Sequence, residues 1–436
     1  MSLTTPDSIR RLQRKLYLKA KAEPDSRFYL LYDKIHREDI LRHAYHLARS
    51  NHGASGVDGE SFAVIEARGL EQWLSGLGRE LKDRTYRTAP VRRVYIPKSG
   101  GGERPLGIPT VRDRVVQTAA KLVLEPVFEA DLEPVAYGYR PGRSARDAIE
   151  AVSAHLRDGY TDVVDADLSK YFDSVPHRDL MMSVARRIVD GDVLHLIKMW
   201  LQAPVEERDG QGKRCLSGGK SSRFGTPQGG VISPLLANLY MNRFLKHWRL
   251  TGRERIFRAR IVSYADDFVI LSRGQAVEAL AWTRQVMIRL GLTLNEAKTS
   301  VRDSRRECFD FLGFTFGPHR SWKKGHVYQG ASPSKKSVAR LKAAVKGMLY
   351  RGRPSPWVEV RDQLNATLRG WRDYFDYGTR LKAYKAIDAY VCQSVRQFLV
   401  SRHKVSSRGT RRFSYEAVFG ELGVLRHCRA ATGAPP

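Results

Sequence analysis

Two adjacent carboxylates, Asp266 and Asp267, stand in the middle of RIVSYADDFVILSR (260–273), between runs that otherwise read as buried β-strand. Unpaired carboxylates are costly to bury among Ile, Val and Phe, so such a pair persists only where it is solvated, paired or neutralised by a cation. Asp-Asp between two strands also suits a plain surface hairpin turn, and the motif alone leaves both readings open. A second source of carboxylates is VVDADL (163–168), a β-branched strand in which period-two alternation puts Asp165 and Asp167 on one face. If that strand lies beside the YADD hairpin, Asp167, Asp266 and Asp267 converge. Strand-borne aspartates in a cluster are what paired Mg2+ ions need, with Mn2+ as a substitute. Two such ions about 3.5–4 Å apart stabilise the attacking and leaving oxygens of phosphoryl transfer.

The elements around these carboxylates are legible in outline. Residues 1–50 read as helix, with Leu30, Ile35, Ile40, Leu41, Tyr45 and Leu47 on a helical face, and NHGASGVDGES (51–61) breaks it. Helix returns over 70–85, and RRVYIPKSGGGERPLGIPT (92–110) reads as two strands joined by a Gly-rich basic turn. A strong helical pattern covers 111–130, and the loop YGYRPGRSARDAI (137–149) feeds another helix. The strand of Asp167 is followed by helix (177–201), a Gly-rich polar segment (209–223), and a Pro- and Gly-bearing loop that gives way to helix (224–248). Beyond the YADD hairpin come helix (275–290), FDFLGFTF (309–316) as a strand pair broken at Gly313, and amphipathic helix over most of 335–402, interrupted around Arg351 to Pro356. No internal repeat is visible.

The bulk properties point to a polyanionic partner. The formal charge is +29, and residues 301–436 hold 27 basic against 10 acidic side chains, so 17 of the 29 excess charges sit in the last third. Nucleic acid is the natural partner of such a chain. At 436 residues it should form two to four structural units. The four cysteines, Cys215, Cys308, Cys392 and Cys428, are widely spaced, which suggests neither a zinc module nor a disulfide framework. The N-terminus lacks an apolar signal-type core, and no run of 18 apolar residues occurs. The expectation is a soluble protein of a bacterial cytosol or nucleoid, without a membrane partner.

The motifs also carry a resemblance. In order, RFYLLYDKIHREDIL, GASGVDG, VYIPKSGGGERPLGIPTVRDRVVQ, YGYRPGRSARDAI, DADLSKYFDS, FGTPQGGVISPLLANLYM, YADD, LGLTLNEAKT, FLGFTF and LRGWRDYF resemble the group II intron-encoded reverse transcriptases, or maturases. The resemblance implies an α+β right-hand polymerase: an N-terminal extension (1–55), fingers (56–160), a palm with an antiparallel sheet (161–325), a helical thumb or maturase region (326–402) and a basic tail (403–436). It implies Asp167, Asp266 and Asp267 as metal ligands, and Lys298 as a candidate general acid near the leaving pyrophosphate. Lys98 and Arg104 match the clamp on the incoming triphosphate, Phe172 the aromatic beneath its sugar, and Gln228 the contact to the nascent base pair. Gly229 and Gly230 match positions where backbone approaches template or nucleotide, and Gly313 lies in the primer grip. Arg140, Arg143, Arg369, Trp371, Arg411 and Arg412 are further expected nucleic-acid contacts. The implied partners are a structured group II intron RNA, an RNA template with a DNA primer, target DNA and dNTPs; oligomeric state is left open.

Bland readings stand beside several of these. Phe172 and the aromatics of FDFLGFTF would also serve as core, Lys298 as a solvated helix-end lysine, and Asp165 as a strand-end surface acid or a support for the metal ligands. The chain lacks the paired cysteines of the zinc-bearing HNH endonuclease module that ends many family members, and DLSKYFDS departs from the common wording without touching Asp167 or Phe172. The resemblance thus implies an RNA-directed DNA polymerase that copies intron RNA and assists splicing. Its alternatives are a domesticated relative in phage defence, CRISPR spacer acquisition or DNA repair, and an RNA-binding splicing cofactor with a vestigial polymerase site.

Overall fold

A computed structural model describes residues 4–97, 102–208, 213–227, 229–320 and 325–428. Eleven strands occur among them: β1 (Val91–Pro97), β2 (Glu103–Ile108), β3 (Asp162–Asp167), β4 (Pro204–Arg208), β5 (Arg214–Gly218), β6 (Ala259–Tyr264), β7 (Asp267–Ser272), β8 (Ser300–Asp303), β9 (Phe309–Phe311), β10 (Phe314–Arg320) and β11 (Val327–Pro333). They form sheets of order β2-β1-β4-β5, β6-β7-β3-β8 and β11-β10-β9 in a mixed α+β chain. The chain divides into two compact units, Met1–Ser144 with Ala166–Phe268 and Val277–Thr299, and Ala145–Asp165 with Val269–Ala276 and Ser300–Pro436.

The first unit is organised on the helix Val111–Glu129, which is buried on nearly every side. An all-round apolar helix is stable only in a core, and its polar residues must then be satisfied. Thr110 begins it, accepting from the Asp113 N–H at 3.1 Å and donating to the Asp113 carboxylate at 2.9 Å. Pro126 lies inside the helix and has no N–H for the carbonyl of Leu122; the Gln13 side chain donates to that oxygen instead, at 3.0 Å. The helix expected over 1–50 is three helices, Asp7–Ala22, Tyr32–Ile35 and Glu38–Ser50, because Pro24 follows the first and the backbone of 20–26 caps the Arg187 guanidinium.

The polar segment 209–223 holds an unexpected strand. β4 pairs parallel to β1 and antiparallel to β5, extending the β1–β2 hairpin to four strands. PVEER and RCLSG show no alternation of apolar and polar residues, since β5 is exposed along its whole length. Their pairing comes from neighbouring backbone rather than from a buried face.

In the second unit, Val360, Leu364 and Leu368 on helix Trp357–Tyr374 meet Ile387, Val391, Val395 and Leu399 on helix Leu381–Arg402 in one core. Phe413, Val418 and Val424 join that core, so residues 413–428 pack with the helices rather than forming a separate tail. The segment is clasped at its end: Asp388 accepts from the backbone N–H groups of His427 and Cys428, both at 2.9 Å, and faces His427 Nδ1 at 3.0 Å.

Candidate functional site

The YADD motif is a tight hairpin joining β6 to β7, with Ala265 and Asp266 as its two turn residues. Ala265 takes φ +58, a left-handed backbone that costs a residue with a Cβ free energy and is held only by its surroundings. The support is the YGYR segment. Ser263 donates its N–H to Val135 O at 2.9 Å and accepts from Tyr137 N at 2.8 Å, laying 135–137 beside β6. Gly138 then passes so close beneath the turn that a Cβ there would stand 2.5 Å from Ala265 N. Asn238 fixes it by donating to Gly138 O at 2.7 Å.

Beside β7 in the sheet runs β3, ending at Asp167. Burial, opposed by its own backbone N–H and reinforced by the Asp167 charge, pushes the Asp266 carboxyl above the ordinary range, while Arg104 and Lys298 pull it back. Asp167, Arg104 and Lys298 thus each act on the Asp266 carboxyl. Lys298 Nζ lies 2.9 Å from Asp167 Oδ2. Tyr139 also stands in the field of Asp266, Asp267 and Arg104, its hydroxyl pKa raised mainly by burial and then by Asp266.

Asp267 opens β7 directly after the turn and is exposed, and it acts with Asp266 and Arg104 on the Tyr139 hydroxyl. Asp167 ends β3 in the sheet beside β7, and Asp266 and Asp267 lie where the β6–β7 turn enters β7. A half-buried carboxylate whose pKa is raised chiefly by burial is a fitting donor for a divalent cation, since Mg2+ needs one or two carboxylates and completes its shell with water and phosphate oxygens.

Phe172 follows β3 on the short helix Tyr171–Ser174 and is half-buried. Its carbonyl accepts from Thr226 N at 2.6 Å, which ties it to the TPQGG loop. Buried Gln117 braces the far side of that loop, its Oε1 accepting from Val231 N at 2.8 Å. Sequence reasoning passed over Gln117, Asn238 and Asn295; their only signal was a polar residue inside an apolar helix or at the end of a motif. Gly229, with φ +105, approaches the Gly107 carbonyl of β2, and a Cβ on Gly230 would stand 2.7 Å from Ser233 Oγ. Their closeness is to the protein's own chain. Lys98 and Gln228 lie outside the described residues.

The remaining expected contacts separate into two groups. Arg140 turns inward, donating to the Glu129 carboxylate at 2.6 Å and to the carbonyls of Glu133 and Ala136, both at 2.7 Å, so it braces the loop and has no face for phosphate. Trp371 is also structural, its ring centroid 4.6 Å from Phe375 and 5.7 Å from His427. Arg369, Arg411 and Arg412 are exposed, and Arg143 donates to Pro134 O at 2.8 Å with its guanidinium 5.1 Å from the Tyr137 ring. Gly313 and Leu312 both have positive φ, +79 and +49, forming the turn between β9 and β10. Tyr374 donates to Leu312 O at 3.0 Å, and Ser337 to Gly313 O at 2.9 Å. Replacing Arg140 with Ala should cost about 3 kcal/mol in denaturant unfolding, as expected when one partner of a buried ion pair is removed. The salt dependence of RNA binding should stay unchanged if the arginine contacts no phosphate.

Comparison with known proteins now bears on this geometry. The family described as reverse transcriptase (RNA-dependent DNA polymerase) matches residues 96–316, and the maturase-specific domain of group II introns matches residues 338–415. Protein YkfC of Escherichia coli is 35% identical over 384 residues, covering 80% of this chain and 98% of its own. The chain belongs to the group II intron reverse transcriptases. It is an RNA-directed DNA polymerase with a maturase region, of the group in which polymerisation and splicing assistance share one polypeptide, and its chemistry depends on a divalent metal. The group II intron-encoded protein LtrA of Lactococcus lactis is 36% identical over 224 residues, 51% of this chain but 35% of LtrA. A cob intron protein of Schizosaccharomyces pombe is 25% identical over 424 residues, 79% of this chain and 50% of that protein.

Proposed function

We propose that this chain copies a structured group II intron RNA into DNA, using Asp167 and Asp266 as the ligands of its divalent metal. The observation that carries the reading is that β3 ends at Asp167 beside β7, which begins directly after Asp266, with Lys298 Nζ 2.9 Å from the Asp167 carboxylate and Arg104 acting on Asp266. When bound, Mg2+, as two ions or with Mn2+ in its place, would stabilise the charge that develops on the reacting phosphate. Asp167 and Asp266 would hold it, with Asp267 at the rim. Arg104 and Lys98 would grip the triphosphate, Arg by its forked donors and Lys as a point charge. Lys298 would serve the leaving pyrophosphate, and Phe172 would stand under the sugar. In this reading residues 56–160 supply the fingers, residues 161–325 the palm, and the helical core of 341–428 the thumb, where exposed Arg369, Arg411 and Arg412 meet phosphates of intron RNA or of a primer–template duplex.

The copying would extend a DNA primer at a target site and return the intron to DNA, while the bound intron RNA is held in its splicing fold. No helix among the described residues is long and apolar enough to cross a membrane. The proposed setting is the bacterial cytosol or nucleoid, where DNA and nascent transcripts coexist. A test is primer extension on an RNA template with Mg2+ and dNTPs, comparing wild type with Asp167→Ala. Wild type should incorporate and the variant should not, while RNA binding is alike in both. Equal incorporation would remove Asp167 from the chemistry, and none by wild type would favour a splicing cofactor with a vestigial site.

A further inference from the structure

Asp167 is held by a segment that the metal-ligand assignment does not use. Residues 293–295 run beside the end of β3: Ser169 N donates to Thr293 O at 2.8 Å, and Asn295 N donates to Asp167 O at 2.8 Å. This backbone register puts the Asn295 side chain opposite Asp167, and Nδ2 donates to Oδ2 at 3.1 Å. The Asn295 carbonyl meanwhile accepts from Lys298 N at 3.0 Å and Thr299 N at 2.8 Å. That tight turn brings the lysine back, so that its Nζ meets the same Oδ2 at 2.9 Å. One residue thus sets both the orientation of the carboxylate and the reach of the lysine.

We propose that Asn295 is a positioning residue that orients Asp167 for a divalent cation, and that Lys298 competes with that cation for the same carboxylate. The inference rests on the polymerase reading above. Asparagine suits the place because it is neutral, donates an N–H to an acid and favours turns; an aspartate would repel Asp167, and an apolar residue would leave the carboxylate free to rotate. Both side-chain donors go to Oδ2, and among the described residues none donates to Oδ1, which keeps that oxygen available to a cation. Lys298 is two-thirds exposed, at 66%. An ion pair so open to water is weak and easily given up. Side chains that support metal ligands in this way typically govern metal affinity by about 10–100-fold.

The two residues predict opposite effects on metal binding, which separates positioning from general damage. Mn2+ binding to the metal-free full-length chain, read by electron paramagnetic resonance, should weaken roughly 10–100-fold in Asn295→Leu. In Lys298→Met it should tighten by up to about 5-fold, the equivalent of a surface ion pair. Asn295→Ser, which keeps a turn-forming residue, should shift in the same direction as Asn295→Leu. In primer extension, Asn295→Leu should lose kcat at limiting Mg2+ and regain it at high Mg2+, with the KM for dNTP unchanged. Wild-type Mn2+ affinity in both Asn295 variants, or equal weakening in the Asn295 and Lys298 variants, overturns the inference. A wild-type chain that binds no Mn2+ and extends no primer overturns the polymerase reading itself.

Discussion

Asp266→Asn should abolish primer extension and yet leave the metal-free protein more stable than wild type. The loss should be at least about 10²–10³-fold, the scale for removing one preorganised electrostatic contact to a transition state. The gain comes from the state of the carboxyl before any metal binds. Burial first, and the charge of Asp167 with it, hold Asp266 above the usual carboxylate range. A proton therefore binds the folded chain more tightly than the unfolded one. The associated stability is complete below the unfolded value and is lost as pH rises through the raised folded value. Above the raised folded value the wild-type fold carries that penalty, and asparagine, of the same size and uncharged, does not. Thermal unfolding without divalent metal should show Asp266→Asn melting about 1–3 °C above wild type at pH 7, with the difference shrinking toward pH 4. Adding Mg2+ should raise the melting temperature of wild type and leave the variant nearly unmoved, because a ligand stabilises only the fold that binds it. A variant that melts lower at every pH would mean that Asp266 is held by contacts that favour its charge, and would remove the electrostatic basis for a metal there.

How much of this site could be read from the chain follows from which interactions a linear pattern carries. Alternation placed Asp167 on its strand, and the hairpin of Asp266 was visible because its flanks are continuous β-branched and aromatic runs. The β10–β11 extension beyond FDFLGFTF was not visible, since PHR and VYQG carry no steady alternation and β11 is exposed over its first residues. β4 and β5 were hidden for the same reason. Arginines were the least legible. Arg140 and Arg143 stand three residues apart in one loop, yet one is wholly consumed by Glu129 and two carbonyls while the other donates to Pro134 O and lies over the Tyr137 ring. Charge in the sequence says nothing of which arginine the fold needs for itself. Gln117, Asn238 and Asn295 were missed because their partners are backbone groups, or a residue more than a hundred positions away, which single-chain spacing cannot reveal. The glycines of TPQGG were recognised as close-approach positions, but the surface they approach could be identified only from the folded chain.

Phe172→Ala should let the enzyme accept ribonucleotides. The aromatic ring is half-buried and its backbone is fixed on both sides: Tyr171 beside it donates to Ala237 O at 2.7 Å, and the Phe172 carbonyl accepts from Thr226 N at 2.6 Å. Removing the ring therefore opens space without releasing the turn that carries it. A pocket that excludes a hydroxyl by shape alone discriminates by about 10²-fold, so the preference for dNTP over NTP, as a ratio of kcat/KM, should fall by roughly 10–100-fold. Incorporation of dNTP should fall by less than about 10-fold, because the triphosphate grip and the metal ligands are untouched. The neighbouring change Tyr171→Phe separates gate from core. It removes one buried hydrogen bond, which should cost about 1 kcal/mol of stability, and it should leave sugar preference as in wild type. If Phe172→Ala loses stability like a core truncation, on the order of 3 kcal/mol or more, while its sugar preference stays fixed, the ring is packing and the sugar is read elsewhere.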